Sequence, residues 1–171
     1  MENTKKIVLV GFMGSGKTFL GEKLAKQLDV PFIDSDKEIE KKYKKSINQI
    51  FESEGEDAFR LKEQNFIKGL KEQKSFVLAT GGGMPCYSTN MDLLKNLGLT
   101  VYLRLSTTVL AKRLLKDNEN RPLIIDNQLE QLQAFIKEKL VVREQFYNNA
   151  HIVLEEKNQT IDSLLKVLKN G

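Results

Sequence analysis

The chain has 171 residues, 40% of them hydrophobic and 29% charged, with a formal net charge of +4 and one cysteine, Cys86. That length fits one domain with a substantial core. A lone cysteine excludes an internal disulfide framework and suits a reducing cytoplasm. No apolar run approaches the roughly 20 residues of a membrane span, so no membrane partner is expected. The positive charge is mostly lysine mixed with glutamate, as over residues 37–45, without a basic stripe interleaved with aromatics. Nucleic acid is therefore not an expected partner, whereas a small anionic substrate is.

The first element is a strand over Lys6–Val10. Lys5-Lys6 before this apolar run mimics a signal peptide, but the run is too short and leads directly into a glycine-rich loop. That loop, Gly11-Phe12-Met13-Gly14-Ser15-Gly16-Lys17-Thr18, opens a helix predicted to run to Leu28. Strand, G-x-x-x-x-G-K-[ST] and helix form a P-loop in its required context. Backbone N–H groups at Gly14, Ser15 and Gly16 would hold nucleotide phosphates at the helix N-terminus. Lys17 would reach the β- and γ-phosphates, and the Thr18 hydroxyl would ligate Mg²⁺.

A second strand over 31–34 ends in Asp34-Ser35-Asp36. If the backbone stays extended, Asp34 and Asp36 share one side. One carboxylate could then join a magnesium shell while the other meets a substrate hydroxyl. Alternatively, Ser35 or Asp36 caps the following helix. Ser46 and Gln49 have the spacing of a capping box, and a longer helix is predicted from Glu56 to about Lys71. A third strand over 75–80 ends in Gly81-Gly82-Gly83, whose bare backbone could approach a ligand closely. Then come a helix over 87–97, a strand over 100–105 and a helix over 107–116. A polar stretch over 116–127, containing Arg121-Pro122, joins it to a helix over 128–148. Connections of this length are usually functional, often lids. A strand over 151–154 and a helix over 160–169 complete the chain, with Thr107 and Thr160 as plausible caps. Such alternation argues for an α/β sandwich around a mainly parallel sheet.

Arginine is scarce: Arg60, Arg104, Arg113, Arg121 and Arg143. A chain that uses lysine for surface charge should keep arginine where a planar fork is needed, as for carboxylate or phosphate. Arg104, inside a strand-like run, reads as a surface residue. Arg60 and Arg143 lie on helices, where a surface charge is the plain alternative. Arg121 could swing with the lid onto transferring phosphate. His151, the only histidine, reads as structural.

In order, the P-loop, Phe32-Ile33-Asp34-Ser35-Asp36, Phe59-Arg60, Gly81–Gly83, Arg121-Pro122-Leu123 and Arg143 with Tyr147 resemble the shikimate kinase family over nearly the whole chain. The resemblance implies a three-layer αβα sandwich with a five-stranded parallel sheet in order 2-3-1-4-5. It implies one P-loop kinase domain over 1–171, a substrate-binding helical segment at about 34–72 and a mobile lid at about 113–127. The implied reaction is phosphorylation of the 3-hydroxyl of shikimate by ATP with Mg²⁺, in a cytoplasmic monomer. It further implies Lys17, Asp36 and Arg121 as catalytic residues, and Thr18 and Asp34 at the metal. Asp36, Arg60, Gly81, Gly82, Gly83 and Arg143 would bind shikimate, with Arg60 and Arg143 gripping its carboxylate. Arg113 would lie against the adenine and Arg121 over the phosphates. Two departures stand out: the family's x-Pro-Leu-Tyr after this arginine is Glu144-Gln145-Phe146-Tyr147 here, and the stretch around Arg113 is about one residue longer. Another small-molecule kinase, such as a gluconate kinase, is the alternative enzyme, and a nucleotide-switched nucleic-acid-associated protein the alternative class.

Overall fold

The computed structural model describes residues 5–117 and 126–170. Five strands, β1 (Lys6–Val10), β2 (Phe32–Asp34), β3 (Phe76–Ala79), β4 (Leu99–Arg104) and β5 (Ile152–Glu155), form one sheet in the order β2-β3-β1-β4-β5. All four pairings are parallel. The helices are α1 (Lys17–Leu28), α2 (Ser35–Tyr43), α3 (Ile47–Gly69), α4 (Asn90–Leu97), α5 (Thr107–Asp117), α6 (Asp126–Tyr147) and α7 (Ile161–Asn170).

The sheet is covered on both faces, which is why its strands read as nearly continuous apolar runs. Alternation divides them between two cores. Ile7 and Leu9 of β1 pack with Leu20 and Leu24 of α1 and Leu164 of α7. Val8 and Val10 face the opposite layer, with Ile39, Phe59, Leu94, Ile136 and Tyr147 from α2, α3, α4 and α6. Helix α1 lies close on the sheet because Gly21 has no side chain: a Cβ there would stand 2.6 Å from Phe32 Cε2.

Register brings the functional segments to one edge. Leu9 pairs with Ala79, and Ala79 with Asp34, so the ends of β1, β3 and the edge strand β2 lie side by side. The P-loop, Asp34 and the Gly81–Gly83 turn leave the sheet there, at the carboxyl ends where open α/β sheets bind ligands.

Several local expectations need correction. Extension stops at Asp34, and Asp36 lies in the first turn of α2, so the shared-side argument for the two aspartates does not apply. Asp34 itself is the N-cap, rather than Ser35 or Asp36. The helices expected around Ser46 and from Glu56 form α3, interrupted at Gly55 (φ 85°, ψ 172°), and the Ser46–Gln49 capping box is present. Helix α4 starts at Asn90 because Met84–Cys86 is a 3-10 turn and Ser88 has φ 49°. Ser106 caps α5, its Oγ accepting from Val109 N at 3.3 Å, in place of Thr107. Thr160 caps α7 as expected, accepting from Ser163 N. In the stretch anticipated as a lid, residues 113–117 belong to α5, whereas Arg121 and Pro122 lie outside the described residues.

Candidate active site

The P-loop is wrapped around its own lysine. Gly14 (φ 77°) and Gly16 (φ 90°) adopt backbone torsions that side chains disfavour, turning the loop into α1. Lys17 Nζ donates to Gly11 O at 2.9 Å and Phe12 O at 2.8 Å, spanning the loop. Burial pulls the Lys17 ammonium down to about 8, against the opposing pull of Asp36 and Asp34.

Asp34 does two things with two oxygens. Its Oδ1 accepts from Asp36 N at 3.1 Å and Lys37 N at 3.3 Å, satisfying orphan donors of α2. Its Oδ2 accepts from the Thr18 hydroxyl at 3.2 Å. Hydroxyl and carboxylate oxygens are hard donors suited to magnesium. Among the described residues no group of three or more His, Cys, Asp or Glu side chains could hold a metal. A magnesium ion here would therefore depend on phosphate oxygens for much of its shell, as is usual for Mg²⁺.

Asp36 lies over the glycine turn: a Cβ on Gly81 would stand 2.5 Å from Asp36 Oδ1. The buried Ser35 hydroxyl joins them, donating to Asp36 Oδ1 at 3.3 Å and accepting from Gly81 N at 2.8 Å. Burial, and next the charge of Asp34, hold the Asp36 carboxyl above the usual carboxylate range. On the far side, the buried Tyr147 hydroxyl donates to Gly82 O. One turn back on α6, Arg143 stacks 5.2 Å from the Phe12 ring centroid, with its Nη1 3.5 Å from where a Gly82 Cβ would be.

Arg60 is no surface charge, being 12% exposed, with its Nη1 donating to Glu63 Oε2 at 2.8 Å. Glu63 is 1% exposed, and burial raises its carboxyl to about 7 even though Arg60 opposes the shift. A Cβ on Gly83 would meet Arg60 Nη2 at 2.6 Å. Thus all three glycines pass directly beneath charged side chains.

A cleft of about 600 Å³ is lined by Gly14, Gly16, Lys17, Thr18, Asp34, Asp36, Gly81, Gly82 and Arg113. Arg113 Nη1 donates to Gly14 O at 3.4 Å, which sets its guanidinium beside the phosphate loop. Arg60 and Arg143 stand beyond the cleft floor, against Gly83 and Gly82. Arg104 pairs with Glu155 at 2.7 Å, and His151 Nδ1 accepts from Thr100 N at 3.1 Å; both tie β4 to the β5 end of the sheet. Sequence reasoning did not single out Glu63, although its i+3 spacing from Arg60 was visible, or the pinning hydrogen bonds of Ser35 and Tyr147.

The shikimate kinase family model matches residues 13–170. This chain belongs to the shikimate kinase family. A shikimate kinase from Azobacteroides pseudotrichonymphae is 41% identical over 165 residues, covering 96% of this chain and 97% of that protein. The crystal structure of shikimate kinase from Bacteroides thetaiotaomicron superposes with a TM-score of 0.84 at 34% identity, covering 97% of both chains. Shikimate kinase from Acinetobacter baumannii, solved in complex with shikimate, gives a TM-score of 0.79 at 39% identity, covering 99% of this chain and 93% of that one. Family membership makes the chain a shikimate kinase rather than a gluconate kinase.

Proposed function

We infer that the chain transfers the γ-phosphoryl group of ATP to the 3-hydroxyl of shikimate, giving shikimate 3-phosphate and ADP on the route to chorismate and aromatic amino acids. One observation carries the residue roles: Lys17 and Asp36 line the same cleft, and its glycine floor runs on to Arg60 and Arg143. Anion site, carboxylate and paired arginines thus follow one another in the order that ATP phosphates, a substrate hydroxyl and a substrate carboxylate require.

The P-loop holds the phosphates, and Lys17 exchanges its carbonyl partners for phosphate oxygens. Arg60 and Arg143 grip the shikimate carboxylate, and the Gly81–Gly83 backbone lets the ring lie against the floor. Asp36 then accepts a hydrogen bond from the ring hydroxyls. In the transfer, the 3-hydroxyl oxygen bonds to the γ-phosphorus, the bond from that phosphorus to the β–γ bridging oxygen breaks, and the hydroxyl proton passes to Asp36. The raised affinity of Asp36 for a proton suits that role. Thr18 and Asp34 would hold magnesium, which when bound offsets phosphate charge. The protein's share is mostly positioning and charge stabilisation. Arg113 is assigned to the adenine. Arg121, outside the described residues, is assigned to the transferring phosphate on the family resemblance alone. A cytoplasmic monomer without nucleic-acid or membrane partners completes the reading; among the described residues no helix is long and apolar enough to cross a membrane.

The test is coupled ADP release with MgATP and shikimate, gluconate or no acceptor. Stimulation by shikimate alone is expected. ATP binding without that stimulation would leave the P-loop assignment standing and remove the substrate.

A further inference from the structure

Arg60 is engaged by two carboxylates, and they are not equivalent. Glu63 is buried and takes Nη1. Glu56, one helical turn before Arg60, is 65% exposed and takes the other edge, its Oε1 accepting from Nε at 3.3 Å and Nη2 at 3.1 Å. The front of the fork is covered. The position of a Gly83 Cβ lies 2.6 Å from Nη2, 2.7 Å from Nη1 and 3.0 Å from Cζ, which places Gly83 squarely before the two terminal nitrogens. An incoming carboxylate that seeks two parallel N–H donors is left with the Nε/Nη2 edge. Glu56 holds that edge.

We propose that Glu56 is an internal stand-in for the substrate carboxylate, so that binding shikimate exchanges one carboxylate for another on Arg60. This rests on the reading of Arg60 as a carboxylate grip. Exposure makes Glu56 the exchangeable partner, and the backbone supplies its freedom. Gly55, the residue before it, breaks α3 with φ 85°, and apart from its chain neighbours and the helix's own backbone nothing lies within 4 Å of where its Cβ would be. The glycine therefore serves the torsion and not a tight contact, and Glu56 begins a new helical segment in open space. The exchange keeps the Nε/Nη2 edge of Arg60 occupied at all times, while Glu63 keeps Nη1. It also sets a threshold: a ligand must out-compete a tethered carboxylate, which disfavours ring hydroxyl compounds lacking an anionic group.

Shikimate and its methyl ester would be titrated calorimetrically into the full chain as wild type, Glu56→Gln, Glu56→Ala and Arg60→Lys, with shikimate and ATP kinetics on each. Exposed pairs at this spacing are weak, so about a two-fold gain in shikimate affinity is expected for both Glu56 variants. Shikimate KM should fall with kcat and the ATP KM held, and the methyl ester should show no gain. Unchanged or weaker shikimate binding, or an equal gain for the ester, overturns the stand-in while Arg60→Lys still weakens binding. If Arg60→Lys also leaves shikimate binding unchanged, the grip itself fails and the stand-in with it.

Discussion

Lys17 and Glu63 are titratable groups that burial has moved in opposite senses toward neutrality. Lys17, lowered to about 8, carries its charge at neutral pH and sheds it well before an exposed lysine would. A neutral amine cannot offset phosphate charge. The free-enzyme kcat/KM for ATP should therefore fall as pH rises through about 8, and Lys17→Ala should lose most turnover while its circular dichroism stays native. Near-normal turnover in the folded variant would remove Lys17 from the reaction. Glu63 has its folded pKa raised to about 7 from 4.5. Between those values the folded chain keeps a proton that the unfolded chain releases. Its contribution to stability is then complete below about 4.5 and is lost as pH rises through about 7. Denaturant titrations at pH 5 and 8 should show a smaller difference for Glu63→Gln than for wild type. At this scale the sequence was informative where a residue type has few uses. A lysine after Gly-x-Gly invites one reading and a scarce arginine only two, and Lys17, Arg60, Arg113 and Arg143 gather at the cleft or its floor while Arg104 pairs with Glu155. Glu63 was hidden among many glutamates because nothing in its spacing tells that tertiary packing will bury it.

Elements carry a second layer of assignment, since a helix terminus and a ligand site draw on the same few polar residues. Asp34 shows this most clearly, with one oxygen on the α2 backbone and the other on Thr18. Two substitutions separate the roles. Asp34→Asn keeps a capping side chain and should unfold near the wild-type midpoint while losing most magnesium-dependent turnover. Asp34→Ala should additionally cost about 1 kcal/mol in denaturant titration, as lost caps do. If Asp34→Asn kept full activity, Asp34 would be a cap and nothing more. The five strands were legible because a parallel sheet covered on both faces writes unbroken apolar runs; their order, β2-β3-β1-β4-β5, was implied only by the family resemblance. Boundaries were less legible where neighbouring polar residues compete to cap: Ser106 and Thr107 are equally good on paper, and only the backbone path selects Ser106. The α3 break was half-visible, as Gly55 before a new helical pattern, but a kink within one helix and two separate helices look alike in sequence.

Over the whole molecule, the site spans both sides of the central strand. α1 provides Lys17 and Thr18 from one layer, while α2, α3 and α6 provide Asp36, Arg60 and Arg143 from the other. A ligand touching both layers should tie them together. Shikimate at 100 times its Kd should add about 2.7 kcal/mol to unfolding, read as a rise in Tm, and gluconate at the same concentration should not. An equal rise with gluconate would deny the site its selectivity. The contact between Gly21 and Phe32 acquires a meaning in this light. Gly21 lies three residues after Thr18, and Phe32 two before Asp34, so a single touching point gauges how far apart the hydroxyl and the carboxylate stand. It acts as a shim of zero thickness. Gly21→Ala would place a methyl carbon 2.6 Å from Phe32 Cε2 and push α1 and Phe32 apart. The expected signature is an enzyme that folds, binds shikimate normally and needs more magnesium to reach half-maximal rate, its calibration lost without any change to a residue that meets a ligand.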